Sequence, residues 1–277
     1  MKKHQRFLTL MIVLLFFLGI TSVCMGVSQI IMGCVQTPSF NIPHKDLLWA
    51  WYKFDEGAGL IVYNHAGNSV ENMAWDTTNG DPTALVWSVP GFGHNVYTGW
   101  GLGTDAFIYT SIARPVNYTT VVAFIRPLAY GGIVPPLPAV RLGQGGGHWS
   151  TFKWTDAPPL RWQAQGSGWL GPNTAVFGPT FGTWYCVALQ AAIGGTNYSR
   201  LWVRGSGMGW TLAVEVLDTT VAGSTQTLMT AFGLNSGGYP MDGGDFLYYA
   251  HTDPHAYLTL VELENIYQVL KGRYGMI

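Results

Sequence analysis

Apolar positions along this chain fall into short runs separated by clusters of Gly, Pro, Asn and Asp. The runs are LWAWYKF (48–54), ALVW (84–87), AFIYTSI (106–112), TTVVAFIRP (119–127), STFKW (150–154), LRWQAQ (160–165), TWYCVALQ (183–190), RLWVRG (200–205) and WTLAVEVL (210–217). Aromatic and β-branched residues dominate them, as a pleated, half-buried surface favours. In 160–165 the side chains of Leu160, Trp162 and Ala164 alternate with Arg161, Gln163 and Gln165, the period-two pattern of a strand with one buried and one wet face. Many such strands without intervening helices predict an all-β sandwich or barrel. One segment has a different period. Thr259 and Glu262 are spaced as a capping box, and Leu263, Ile266, Tyr267 and Leu270 follow at i, i+3, i+4 and i+7. This predicts a short amphipathic helix, ended by Gly272 and Gly275, with one face on the sandwich.

The start of the chain is a separate object. Lys2, Lys3 and Arg6 precede an apolar run from Phe7 to Ile20, and no Asp, Glu, Lys or Arg occurs between Phe7 and His44. A basic start followed by an apolar core of this length reads as a secretory signal peptide over 1–26, with a tether over 27–46 and the domain over 47–277. Two alternatives stay open. The weakly polar stretch 7–35 is long enough for an uncleaved signal anchor, and Ile31-Met32-Gly33-Cys34 is similar to a lipoprotein box that would lipidate Cys34. All three place the body outside the cytoplasm, extracellular or at the cell surface, and touch a membrane only through the N-terminal segment.

Composition narrows the partners. The 277 residues carry 14 Lys and Arg against 15 Asp and Glu, a formal net charge of −1. Without the leader the balance is 11 against 15, mildly acidic, which leaves no basic patch for nucleic acid. A hydrophobic fraction of 48% supplies a core and excludes intrinsic disorder. Three Cys residues exclude a disulfide scaffold and a Cys-rich zinc module. Cys186 alternates with Trp184 and Ala188 and reads as a buried thiol.

Three patches together resemble a known family. Trp51 to Gly59 (WYKFDEGAG), followed by Val62 to Asn68 (VYNHAGN), is similar to the opening motif of laminin-G-like, concanavalin A-like jelly-roll domains. Gly182 to Leu189 (GTWYCVAL) resembles their central strand, and Leu258-Thr259 through Glu262, Ile266-Tyr267 and Arg273-Tyr274-Gly275 their closing helix. Residues 119–127 fit a further strand of the family. The patches keep the family's order and span 47–277. The resemblance implies a two-sheet antiparallel jelly-roll sandwich with a short C-terminal helix. It also implies binding of glycans or cell-surface proteins through loops at one edge, in adhesion, sometimes with calcium. Two departures stand out: the acidic segment of the family is thinned to Asp105 within 99–108, and Cys186 replaces a frequent His.

Candidate chemistry follows from residue types. A calcium ion wants six to eight oxygens. Asp105 falls where the family often has a ligand, and Asp242 and Asp245 lie in Met241-Asp-Gly-Gly-Asp245, which reads as a Gly-rich turn. Trp100 and Trp169, set beside Gly, are candidate platforms for the C–H face of a sugar. In 251–255 (HTDPH) Pro254 blocks the helix that an i,i+4 zinc pair requires. A glycosidase needs two carboxylates across one bond. The family's catalytic E-x-D-x-x-E is absent, its nearest counterpart being Glu215 to Asp218, and G-x-S-x-G, H-E-x-x-H and C-x-x-C are absent too. The expectation is an exported, non-catalytic recognition domain. The alternatives are a self-associating structural component of a surface or virion and a polysaccharide-active glycosidase or lyase.

Overall fold

The computed structural model describes residues 41–67, 72–75, 85–87, 92–94, 108–110, 118–128, 140–142, 150–155, 158–165, 173–192, 197–218, 229–231, 241–251 and 257–277. The strands are β1 Leu48–Tyr52, β2 Ile61–Val62, β3 Met73–Trp75, β4 Leu85–Trp87, β5 Phe92–His94, β6 Ile108–Thr110, β7 Tyr118–Pro127, β8 Val140–Leu142, β9 Ser150–Trp154, β10 Trp162–Gln165, β11 Asn173–Thr174, β12 Tyr185–Ala192, β13 Asn197–Gly205, β14 Thr211–Asp218, β15 Met229–Ala231 and β16 Met241–His251. One helix follows, α1 Leu260–Leu270, continued by a 3-10 turn over Lys271–Tyr274. All described pairings are antiparallel. The first sheet runs β14-β13-β12-β7-β16-β5-β4, with β1 also on β16, and the second runs β11-β10-β9-β8-β15-β6-β3-β2. The expected two-sheet sandwich with a short C-terminal helix is what the chain forms. Among the described residues no helix is long and apolar enough to cross a membrane.

Each of the nine apolar runs overlaps a strand. Alternation then assigns two layers to the first sheet. Val121, Ala123 and Ile125 of β7, with Val187 and Leu189 of β12, enter the core between the sheets and meet Phe152, Trp154, Trp162 and Ala164 of the second. The intervening positions Val122, Phe124, Cys186, Ala188, Leu247 and Tyr249 face the other way and are equally buried. What covers them is the C-terminal segment. Thr259 caps α1 with a reciprocal Glu262 bond, and Leu263, Ile266, Tyr267 and Leu270 are its buried face. Each such side chain contributes roughly 1.5–3 kcal/mol of hydrophobic stabilisation. Polar ties fix the helix in place. Gln190 Nε2 donates to Leu258 O at 2.7 Å, and Arg204 donates to Glu264 at 3.0 Å while lying 4.2 Å over the Tyr267 ring. Cys186 is a buried free thiol, as its alternation implied, but it sits under the helix and not between the sheets.

One expectation fails. Met241 to Asp245 is not a turn; it is the first half of β16, the longest strand described, at 11 residues. Asp242 pairs with Arg126, Gly243 with Ile125 and Phe246 with Ala123, so β16 carries one extra residue opposite β7. This bulge turns Gly244 and Asp245 toward the C-terminal segment. A Cβ on Gly244 would lie 2.4 Å from the Tyr274 ring, so the glycine is the space in which that ring rests.

Candidate functional site at the β1–β2 loop

The chain leaves β1 at Lys53 and reverses through Phe54. Phe54 has φ 55, a left-handed backbone in a non-glycine residue. That conformation is strained and is held here by a fully buried ring within the inter-sheet core. With Phe54 pinned inward, Asp55 and Glu56 emerge at the surface. The returning strand is bonded back to them and to β1. Tyr63 N–H donates to Glu56 Oε1 at 2.8 Å, His65 N–H to Trp51 O at 2.7 Å, and the N–H groups of Trp51 and Ala66 both donate to Asn64 Oδ1 at 3.0 Å. Asn64 N–H donates in turn to Asn72 Oδ1 at 2.9 Å. A loop held at this many points is a rigid frame for its side chains.

The frame brings one oxygen of Asp55, one of Glu56 and one ring nitrogen of His65 within 4.8 Å of one another. Glu56 Oε2 is shielded from water and finds no hydrogen-bond partner among the described residues. Burial raises the Glu56 carboxyl above its ordinary range, against the Tyr63 N–H that favours its charged form. His65 is shifted the opposite way, first by burial and then by the cations Lys53 and Arg273, so its neutral imidazole is favoured. Exposed Tyr63, Ile61 and Leu60 flank the cluster.

Behind the loop lies a buried anchor. Asp245 is fully buried and accepts from Trp51 Nε1 at 2.8 Å, from Arg273 Nη1 at 2.8 Å to each oxygen, and from Tyr274 Oη at 2.6 Å. Its own N–H donates to Tyr274 Oη at 2.5 Å. Tyr274 is stacked on Phe124 at 4.4 Å and tilted on Trp184 at 4.7 Å. Desolvation pushes Asp245 up to about 6, opposed by Arg273 and by the bonds from Tyr274 and Trp51. Arg273 also reaches outward to Asp55 at 3.3 Å and thus joins the anchor to the surface cluster. Lys53 Nζ lies 4.5 Å over the Trp51 ring.

The residues singled out in the sequence are distributed differently. Trp100, Trp169 and Asp105 lie outside the described residues. Asp242 is buried on β16 and ion-paired with Arg126, whose guanidinium lies over Trp184. Asp245 is the Arg273 acceptor. A calcium ion at either carboxylate would have to displace a guanidinium, Arg126 from Asp242 or Arg273 from Asp245, and Asp245 is further held by donors from Trp51 and Tyr274. These two side chains therefore do not fit a calcium cage. The surface cluster offers two carboxylates and an imidazole beside two cations, short of the six to eight oxygens calcium takes. Asp55, Glu56 and His65 stand inside the family-like opening motif; the signal missed was that the loop reverses between them.

No protein-family model matches the chain, and no curated protein does. Among solved structures it is similar to Trypanosoma rangeli sialidase in complex with sialic acid, with a TM-score of 0.54 and 12% identity over 82% of this chain and 34% of that one. The same sialidase with 2,3-difluorosialic acid, a covalent intermediate, gives 0.55 and 14% over 83% of this chain and 34% of that one. Domain 4 of AbnA, a GH43 extracellular arabinanase from Geobacillus stearothermophilus in complex with arabinotriose, gives 0.49 and 13% over 79% and 97%. The chain thus spans about a third of the sialidase chains it matches. At these identities the likeness is one of fold, a β-sandwich.

Proposed function

We propose that this chain is an exported, laminin-G-like recognition domain that binds glycans at a cell or matrix surface without catalysing their cleavage. The observation that carries the reading is the rigid Asp55–Glu56–His65 cluster beside exposed Tyr63. It combines fixed hydrogen-bond acceptors with an apolar face, the pairing that sugars require. The sandwich shared with a sialidase that binds sialic acid supports glycan as the ligand class. Adjacency supports binding over hydrolysis. A glycosidase sets its two carboxyls on opposite sides of the bond, about 5–9.5 Å apart, whereas Asp55 and Glu56 are consecutive and share one patch. The sequence motifs carry the family assignment, and the N-terminal apolar run carries export.

A glycan array probed with the full chain, with calcium and again with chelator, tests this. Binding to a defined set of glycans, lost on combining Asp55→Ala with Tyr63→Ala, supports it. A blank array from folded protein overturns it and moves the weight to self-association, read by size-exclusion chromatography. Release of reducing sugar from a bound polysaccharide overturns the non-catalytic part alone.

A further inference from the structure

The described chain joins the sandwich at one end of the first sheet, through a fixed contact. Ile42 is 1% exposed, Pro43 O accepts from Tyr249 Oη at 3.3 Å, and Leu47 O accepts from the Ala250 N–H at 2.9 Å. His44 Nδ1 lies 3.6 Å from Glu262 Oε1 in the opening turn of α1. The place where the N-terminal residues meet the domain is therefore held beside the start of the helix.

Strand register defines what else stands at this end. Leu48 opens β1 opposite Tyr249, His251 of β16 and Ala192 of β12 both pair with Tyr118, and β13 starts from the same end at Asn197. Tyr257 Oη donates to Tyr198 O at 2.8 Å, which brings the segment before α1 to the same place. Three large apolar side chains are exposed here, Tyr198 at 44%, Leu260 at 43% and Val261 at 70%. Leu260 and Val261 occupy the first turn of α1, off the face that Leu263, Ile266, Tyr267 and Leu270 bury. Charges at this end offset one another: Lys45 and Asp46 are consecutive and both exposed, and Arg200 pairs with Glu215. The β1–β2 loop leaves from Tyr52, opposite Phe246, about 13 Å further along the strand.

Exposed apolar groups also flank that loop, so exposure alone does not choose between the two ends. Chain length does. The uncharged stretch 7–35 is long enough to span a bilayer. Six residues lead from Val35 to Asn41, about 20 Å at full extension. A bilayer that holds 7–35 therefore stands within reach of Ile42, and the end carrying Tyr198, Leu260 and Val261 is the one turned to it. We infer that the chain keeps its N-terminal segment as a membrane anchor and that Tyr198, Leu260 and Val261 rest in the interface of that bilayer, with the β1–β2 loop pointing away from it. Bilayer interfaces take up tyrosine and aliphatic side chains carried on an ordered surface. The balanced charges let zwitterionic lipid serve. This goes beyond the glycan reading and shares only export with it.

The test uses the full chain in phosphatidylcholine vesicles. Cys24→Ser and Cys34→Ser leave one introduced thiol to carry a fluorescent dye, since Cys186 is buried. The dye is placed by Val261→Cys or by Tyr63→Cys and is quenched by doxyl-labelled lipid. The chain is expected to float with the vesicles. Doxyl lipid is expected to lower the signal at 261 at least about twofold, as insertion at the interface implies, and to leave that at 63 unchanged. Tyr198→Ser combined with Leu260→Ser is expected to restore about half of the lost signal while flotation persists. Circular dichroism and the thermal midpoint establish that each variant is folded. A floated chain whose dye at 261 is not quenched, or whose dye at 63 is quenched equally, overturns the placement. A chain that fails to float, or whose exported form lacks residues 7–35 by mass spectrometry, overturns the anchor. Each of these results leaves glycan recognition standing, and a blank glycan array leaves the anchor standing.

Discussion

Gly244 and Tyr274 form a contact whose cost can be worked out. A Cβ on Gly244 would lie 2.4 Å from both Cε1 and Oη of Tyr274 and 2.6 Å from Cζ. Ordinary van der Waals contact needs roughly 1 Å more, and the ring has nowhere to retreat. It is stacked 4.4 Å from Phe124 with an interplanar angle of 14°, and its hydroxyl is bonded to Asp245 on two sides. Gly244→Ala therefore expels the ring. The aromatic stack is worth about 0.5–1.5 kcal/mol and a hydrogen bond to a charged acceptor about 1.5–3 kcal/mol. Together they imply a destabilisation of about 2–4 kcal/mol, or about 5–15 °C in Tm for a domain of this size. Urea unfolding followed by Trp fluorescence measures it. The decisive arm is the double-mutant cycle with Tyr274→Ala. With the ring gone the three nearest atoms to the added methyl are removed, and the same glycine replacement should cost much less, since alanine is otherwise the better strand residue. If Gly244→Ala is mild alone, or as costly without the ring as with it, the reasoning is refuted.

Three further outcomes follow from the same anchor and helix. Arg273→Ala strands the buried Asp245 carboxylate and should cost about 3–5 kcal/mol; Arg273→Lys keeps a charge but cannot span both Asp245 oxygens and Asp55, so its Tm should fall between the two. Asp245 is raised from 3.8 to about 6 in the folded chain, so the native state holds this proton more tightly than the unfolded one. Its contribution is complete below pH about 3.8 and is lost as pH rises through about 6, a fall of up to about 3 kcal/mol. Asp245→Asn should flatten that part of the urea-midpoint profile, and an unchanged slope would count against the assignment. Thr259→Ala removes the reciprocal cap with Glu262 and should lower stability by about 1 kcal/mol, with hydrogen exchange rising first in the opening turn of α1.

Local chemistry explains which parts of the fold were legible in the sequence. Strands such as Tyr185–Ala192 and Thr211–Asp218 advertise themselves because aromatic and β-branched residues run through them. The helix does so because its cap and its apolar spacing agree. The start of β16 is different. Asp242, Gly243, Gly244 and Asp245 are turn formers by local preference, yet Asp242, Gly244 and Asp245 are explained by distant partners. Arg126 is 116 residues from Asp242, and Tyr274 is 29 residues from Asp245. Tertiary demand overrides propensity there, and no periodicity reports it. Strands of two or three residues, such as β2 and β11, are too short to show any period. The loop cluster was half visible. Asp55 and Glu56 belong to a recognisable motif, but their meeting with His65 depends on the reversal that Phe54 starts, which neither strand nor helix spacing encodes.

The candidate site and the anchor share one residue, and that sharing separates their energetics. Arg273 faces inward to a fully buried carboxylate through two bonds of 2.8 Å and outward to Asp55 at 3.3 Å. The inner pair is desolvated, so breaking it leaves an uncompensated buried charge. The outer pair is open to water, where an ion pair contributes about 1 kcal/mol or less. Hence Asp55 can be exchanged, or its carboxylate shared with a ligand hydroxyl, at little cost to folding, while Arg273 stays in place because Asp245 holds it. A surface built this way can vary at Asp55 and at the Tyr63 side chain without loosening the frame, whereas Glu56 also holds the Tyr63 N–H. The frame's own requirements fall on Phe54, Asn64, Gly244, Asp245, Arg273 and Tyr274, none of which has to touch what is bound.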